Sequence, residues 1–239
     1  FCMIEAAQRR LKMTTQALSL NDMKPTLTNT DKSRRFWDRH APKYAKSKIS
    51  DLKGYERSLE RTRDYLTRDQ NVLEIGCGTG KTAIAHAPFA GHITGTDIAS
   101  GMVEIAREKA SKGGPLNLDF LPAPADDLGF PAATFDLAMS HNLYHLVDDV
   151  DAALKEAHRV LKSGSIFISK TPCLGEMNVV MRRLVLPLMT QFYGLGNVQM
   201  FTQEQWLAAL ERAGFAIEAI EFHGTKGKDN RPFIMARAQ

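Results

Sequence analysis

From residue 71 onward the chain alternates between two hydrophobic rhythms. Short apolar runs at Asn71–Ile75, His92–Asp97, Leu116–Leu121, Thr134–Ser140 and Gly164–Lys170 read as buried strands. Between them lie segments with apolar residues three and four apart, at Lys81–Phe89, Met102–Ser111 (opened by Ser100 as N-cap) and Asp149–Leu161. These read as helices with one face on a core. Strand and helix in alternation predict a parallel, doubly wound α/β sheet. A Lys162-Ser163-Gly164 turn leads into the Gly164–Lys170 strand. Thr202 with Gln205 three residues on is a capping box and predicts a helix over Thr202–Ala213, stopped by Gly214-Phe215. Ile217–His223 and Pro232–Arg237, separated by the polar Gly224–Asn230, predict two closing strands.

The rhythm breaks in two places. Cys173–Met200, rich in Met, Val and Leu around Arg182-Arg183, is long for a plain connection and reads as a helical lid over a ligand pocket. Its apolar face suits a hydrophobic or bulky ligand. Arg182 or Arg183 could meet an acidic group there, or be a solvated pair. The second break is the N-terminal arm, where Met3, Ile4, Ala7, Leu11 and Leu18 fall on one helical stripe. Asn21–Lys32 is polar and reads as a linker. After it, Phe36–Tyr44 predicts an aromatic helix ending near Pro42, and Tyr55–Tyr65 a charged, structural helix. The expected division is an arm and linker over residues 1–34 and a catalytic-size domain over 35–239, with the lid at about 173–200.

Charge sharpens this division. The net charge is +4, but residues 1–50 hold eleven Lys/Arg against four Asp/Glu, and the remainder twenty against twenty-three. A basic arm on a mildly acidic body suits an anionic lipid surface, nucleic acid or an acidic partner, or is simply a solvated extension. Packing on the body or on a second copy of the chain, as a homodimer, fits the apolar stripe better than peripheral membrane contact. No apolar run approaches the ~20 residues of a membrane span, and no secretory h-region is visible, so a cytoplasmic location is expected. Three widely spaced cysteines, Cys2, Cys77 and Cys173, argue against a disulfide framework or zinc site.

The stretch Asn71–Lys81, N-V-L-E-I-G-C-G-T-G-K, carries the chemistry. Glycines at alternate positions after a buried strand let the backbone turn sharply and come close to a ligand. A Walker-type loop needs four residues between its first glycine and Gly-Lys-Thr, and only three separate Gly76 from Gly80. The dinucleotide fingerprint needs a glycine where Lys81 stands. An acidic residue closing the strand before G-x-G-x-G instead resembles motif I of the class I S-adenosylmethionine-dependent methyltransferases. The context agrees. Asp97-Ile98-Ala99-x-Gly101-Met102 resembles the family's acid-to-helix segment, A-x-R-V-L-K-x-G-S its helix-to-strand connection, and F-T-x-E-x-W-x-x-x-L-x-x-A-G-F its tail. Within the family the likeness is to small-molecule enzymes of the methyltransferase-11 and ubiquinone/menaquinone C-methyltransferase kind.

The resemblance implies a Rossmann-like, seven-stranded, mostly parallel sheet with an antiparallel C-terminal strand, and S-adenosyl-L-methionine as cofactor. It places Glu74, Gly76, Cys77, Gly78 and Gly80 of the loop, and Ser140 after the fourth strand, at that cofactor. Asp97, at the end of the second strand and 21 residues after Gly76, is also where an open α/β sheet puts a ribose-binding acid; its alternative is to cap the next helix. Ile98 and Met102 would line the adenine. The family's usual Asp-Ala pair after the third strand is here Pro124-Ala125, leaving Ala125 with Asp126, or the backbone alone, to hold the base. Tyr44 is expected near the methionine end, or as an aromatic staple. His141, with Asn142, Tyr144 and His145 beside it, is the candidate for handling the acceptor, as a general base. His141 and His145 lack the Glu of H-E-x-x-H, so no metal site is expected. The implied reaction is in-line methyl transfer to a small, apolar or lipid-like acceptor. No N-P-P-Y tetrad follows the fourth strand, so nucleic acid is not expected. Other readings are a non-catalytic S-adenosylmethionine-binding protein and a nucleotide-dependent oxidoreductase.

Overall fold

A computed structural model describes residues 28–180, 183–184, 198–227 and 229–239. The N-terminal stripe, Arg182 and most of the expected lid lie outside the described residues. The elements are α1 (Asn29–Ala45), α2 (Leu52–Arg63), β1 (Asn71–Ile75), α3 (Lys81–His86), β2 (His92–Asp97), α4 (Ser100–Ser111), β3 (Leu118–Pro122), β4 (Phe135–His141), α5 (Val150–Val160), β5 (Leu161–Lys170), α6 (Gln203–Arg212), β6 (Phe215–Glu221) and β7 (Phe233–Ala238). The strands form one sheet in the order β3-β2-β1-β4-β5-β7-β6. The first five are parallel, and β7 runs antiparallel to both β5 and β6.

Side-chain alternation splits the core into two layers. Leu73 and Ile75 of β1 point to one face and pack with Leu154 of α5 and Trp206 and Leu210 of α6. Val72 points to the other, with Met139 of β4 and Ala83, Val103 and Ala106 of α3 and α4. Burial on both faces explains why the central strands read as continuous apolar runs. The Thr202–Gln205 capping box forms as expected. Among the described residues no helix is long and apolar enough to cross a membrane.

Three boundaries differ from the sequence reading. Residues 29–34 are not linker but the first turns of α1, opened by a capping box between Thr28 and Asp31. The 34/35 boundary therefore falls within a helix. α1 also continues through Pro42. A mid-helix proline costs about 3 kcal/mol, and packing offsets it: Ala41 is buried, Phe36 stacks on His40, and Trp37 meets Tyr44 edge-on. Lastly, β5 begins directly after α5, and Lys162-Ser163-Gly164 is an irregularity within that strand rather than a turn before it. The register steps from Phe135↔Leu161 to Leu137↔Ile166, with Gly164 at φ +80°.

Gly80 holds a left-handed conformation (φ +75°) at the start of α3, and an added Cβ would lie 2.8 Å from the Phe120 ring and 2.9 Å from Ala106 Cβ. Gly80→Ala is expected to destabilise the fold by about 1–3 kcal/mol, from backbone strain plus overpacking. Urea denaturation checks this, and an unchanged midpoint would mean the turn relaxes freely.

Among the described residues, both ring nitrogens of His86 and the Nδ1 atoms of His141 and His145 are buried without a partner. Burial lowers their pKa from 6.5, to about 3 for His86 and about 4 for His141 and His145. Below pH 6.5 the unfolded chain binds these protons and the folded chain does not. Stability is thus fully present above pH 6.5 and drains away as pH falls toward 4, by up to ~1.4 kcal/mol per pH unit per histidine. Urea midpoints measured from pH 6.5 to 4.5 should fall less steeply for His145→Asn than for the wild type. Equal slopes would show that His145 is already charged in the folded state.

Candidate active site

β1 and β4 are neighbours from which the chain winds in opposite directions, toward β2 and β3 on one side and β5 on the other. Loops leaving their carboxyl ends diverge, and the crevice between them is where open α/β sheets take ligands. The glycine loop leaves β1 here. At Gly78 (φ +52°) an added Cβ would meet only the Tyr44 ring, at 3.7 Å, so this backbone faces open space. Asp97, closing β2, holds the loop: the Gly78 N–H donates to its Oδ2 and the Ala99 N–H to its Oδ1, both at 2.9 Å. Burial raises the Asp97 pKa and these two amides oppose the rise. Each carboxylate oxygen retains a lone pair for a further donor.

A cleft occupies the crevice. Of the residues singled out in the sequence, it brings together Tyr44, Gly76, Gly78, Asp97, Ile98, Met102, Ala125, Asp126 and His141. Pro124, in place of the family's acid, also lines it. α1 forms the roof. Asp38 accepts from the Gly101 N–H at 2.8 Å, so α4 is capped by a side chain from another helix and not by Ser100, which is the first helical residue. At the mouth, Thr30 Oγ1 donates to Asp148 Oδ2 at 3.0 Å, joining α1 to the loop after β4. Thr30, Ser33 and Asp148 were missed in the sequence; the Thr28-x-x-Asp31 pattern was the available signal for the helix that brings the first two there.

A second, polar cavity adjoins the first and shares Tyr44, Gly76, Gly78, His141 and Asn142 with it. Glu74 and Cys77 line this second space. Glu74 is buried, which pushes its pKa up to about 8 against the opposing Ala83 amide. The Cys77 thiol is likewise raised by burial, then by Glu74 and Asp97. His141, the last residue of β4, stands between the spaces as a neutral imidazole, held so by burial, then Lys170 and His223. Asn142 follows at φ +56°, a left-handed conformation that asparagine tolerates, and its N–H donates to the Lys170 carbonyl at 2.7 Å.

Gly80 and Ser140 line neither cavity. Gly80 packs against Phe120 and Ala106, and the Ser140 hydroxyl is turned into the core without a partner among the described residues. Tyr144 is also core: fully buried against Phe167 and Trp206, with its pKa pushed up by burial. Ser58, Lys170 and Arg231 line the second cavity. No local pattern marks them, because they come from α2, the end of β5 and the loop before β7.

These groups fit an adenosyl cofactor with a zwitterionic tail. An open glycine backbone approaches the ligand, a buried carboxylate with spare lone pairs can accept two hydroxyls, and Ile98 and Met102 give an apolar wall.

The comparisons with known proteins agree. The methyltransferase domain family matches residues 73–169. The uncharacterised methyltransferase YcgJ of Bacillus subtilis is 36% identical over 100 residues, covering 42% of this chain and 40% of that protein. Its crystal structure superposes with a TM-score of 0.62 at 28% identity, over 70% of this chain and 71% of that one. The ubiquinone/menaquinone C-methyltransferase UbiE of Rhizobium meliloti is 35% identical over 130 residues, 52% of this chain and 46% of the relative. Aklanonic acid methyltransferase DauC of a Streptomyces species is 38% identical over 101 residues, 41% and 46%. The chain thus spans less than half the length of these curated relatives, and the family match runs from β1 through β5. In sequence over residues 73–169 and in fold, this chain is similar to methyltransferases.

Proposed function

We propose that the chain methylates a small organic acceptor, with S-adenosylmethionine in the switch-point cleft and the acceptor in the adjoining cavity. The observation that carries this reading is the meeting of the two spaces at Gly76, Gly78, His141 and Asn142, directly over the ends of β1 and β4. The relatives named for ubiquinone/menaquinone and aklanonic acid support a small-molecule acceptor.

When bound, S-adenosylmethionine supplies an activated methyl group together with its leaving group. The chain's own work is alignment and exclusion of water. Asp97 accepts from the ribose hydroxyls, with its geometry preset by the Gly78 and Ala99 amides. Ile98 and Met102 hold the adenine, with Ala125 and Asp126 at its edge. Tyr44 closes over Gly78 at the methionine end. His141, neutral and with Nδ1 unpartnered, takes up the proton when the acceptor atom must lose one. Its pKa of about 4 makes it a weak base in the free protein, so acceptor binding has to raise it.

Calorimetric titration with S-adenosylmethionine, S-adenosylhomocysteine and NADH tests the cofactor reading; binding of the first two alone is expected, and binding of neither overturns it. Asp97→Ala should weaken S-adenosylmethionine by ~1.5–3 kcal/mol, the scale of hydrogen bonds to a charged group. Unchanged affinity would remove Asp97 from the ribose. His141→Ala should lower turnover in an acceptor screen while sparing cofactor affinity, and full activity would take His141 out of the mechanism.

A further inference from the structure

Lys170 is the last residue of β5 and only 6% exposed. Its Nζ donates to Ser58 Oγ at 2.9 Å, and among the described residues no carboxylate pairs with it. A buried ammonium with only a hydroxyl for company is costly unless a counter-charge arrives. The acids around it are engaged elsewhere. Asp51 accepts from the Gly54 and Thr225 amides and the Thr225 hydroxyl. Asp229 accepts from the Gly224 amide and from the amide and Nε of Arg231. Glu74 keeps its proton near neutral pH. Arg231 offers its Nε to Asp229, and among the described residues its two terminal nitrogens have no acceptor. Both cations line the second cavity, and Lys170 pairs in register with His141 across β4 and β5.

We propose that Lys170 and Arg231 form an anion subsite in the second cavity, and that the methyl acceptor carries a carboxylate or phosphate group that docks there. This rests on the methyltransferase reading, since it is that reading which makes the second cavity an acceptor pocket. An acceptor anchored by its anionic end at Lys170 presents its other end to His141 and Asn142, where the two spaces meet. The anion also neutralises the charge that, after burial, does most to keep His141 from holding a proton. Docking the acceptor thereby strengthens the base only when it is needed.

The test uses the full chain saturated with S-adenosylhomocysteine, titrated with benzoate, phenyl phosphate and benzamide and followed by amide NMR. Saturable shifts at Asn142, His141 and Lys170 are expected with the anions and not with benzamide, and the tighter anion identifies the docking group as carboxylate or phosphate. Lys170→Met should weaken that anion by about ten- to a hundredfold, the loss of a hydrogen bond to a charged group, while S-adenosylmethionine binds as before. Its melting temperature should not fall, because an unpaired buried charge has been removed. Arg231→Gln is the second variant and should weaken the anion in the same direction. Equal binding of benzamide, or no anion binding, would overturn the proposal. So would an equal loss of S-adenosylmethionine affinity in Lys170→Met, which would make the anion the cofactor's own carboxylate. Failure of the wild type to bind S-adenosylmethionine at all would strike the methyltransferase reading instead, and is measured first.

Discussion

The reversal of winding between β1 and β4 is the constraint on which the site depends. Helices must cover both faces of a sheet whose central strands are apolar throughout, so the chain cannot wind in one direction only. Where it turns back, two strand ends lose their covering loops and a crevice opens. The carboxyl ends of strands bring much of the site to that crevice: the glycine loop by β1, Asp97 by β2, His141 by β4 and Lys170 by β5. α1 then roofs it, tied to α4 through Asp38 and Gly101.

The same crevice concentrates electrostatic cost. Glu74 is held protonated, His141 held neutral, and Lys170 left with a hydroxyl as its partner, all within one connected space. A fold selected only for stability would replace such groups with apolar ones of similar size. Groups shifted toward neutrality by burial, in a cleft at a switch point, are the pattern expected where protons and charged ligands are handled.

Much of the fold could be read from the chain because it rests on local signals. Asn71–Ile75 and His92–Asp97 match the observed strands, and the Thr202 capping box forms as read. The errors have physical causes. The first turn of α1, up to Lys32, reads as linker because it is polar, whereas the later turns carry the aromatic pattern and pack through Ala41 on Ala99 and Met102. Ser100 was read as a cap because a serine before an apolar run usually is one, whereas it is already helical and Asp38 reaches across from another helix to the Gly101 amide. Of the site, the loop, Asp97, Ile98, Met102 and His141 follow a motif with regular spacing and do line the cavities. Lys170, Ser58 and Arg231 converge only through tertiary packing, which no single-sequence pattern encodes.

The hydrogen bond between Thr30 and Asp148 ties the first turn of α1 to the loop after β4, across the mouth of the cleft. It lies within one helical turn of Thr28, the point at which the basic N-terminal segment joins. The roof of the cleft is thus fastened at its rim by side chains from two segments far apart in the chain, and not by the sheet beneath it.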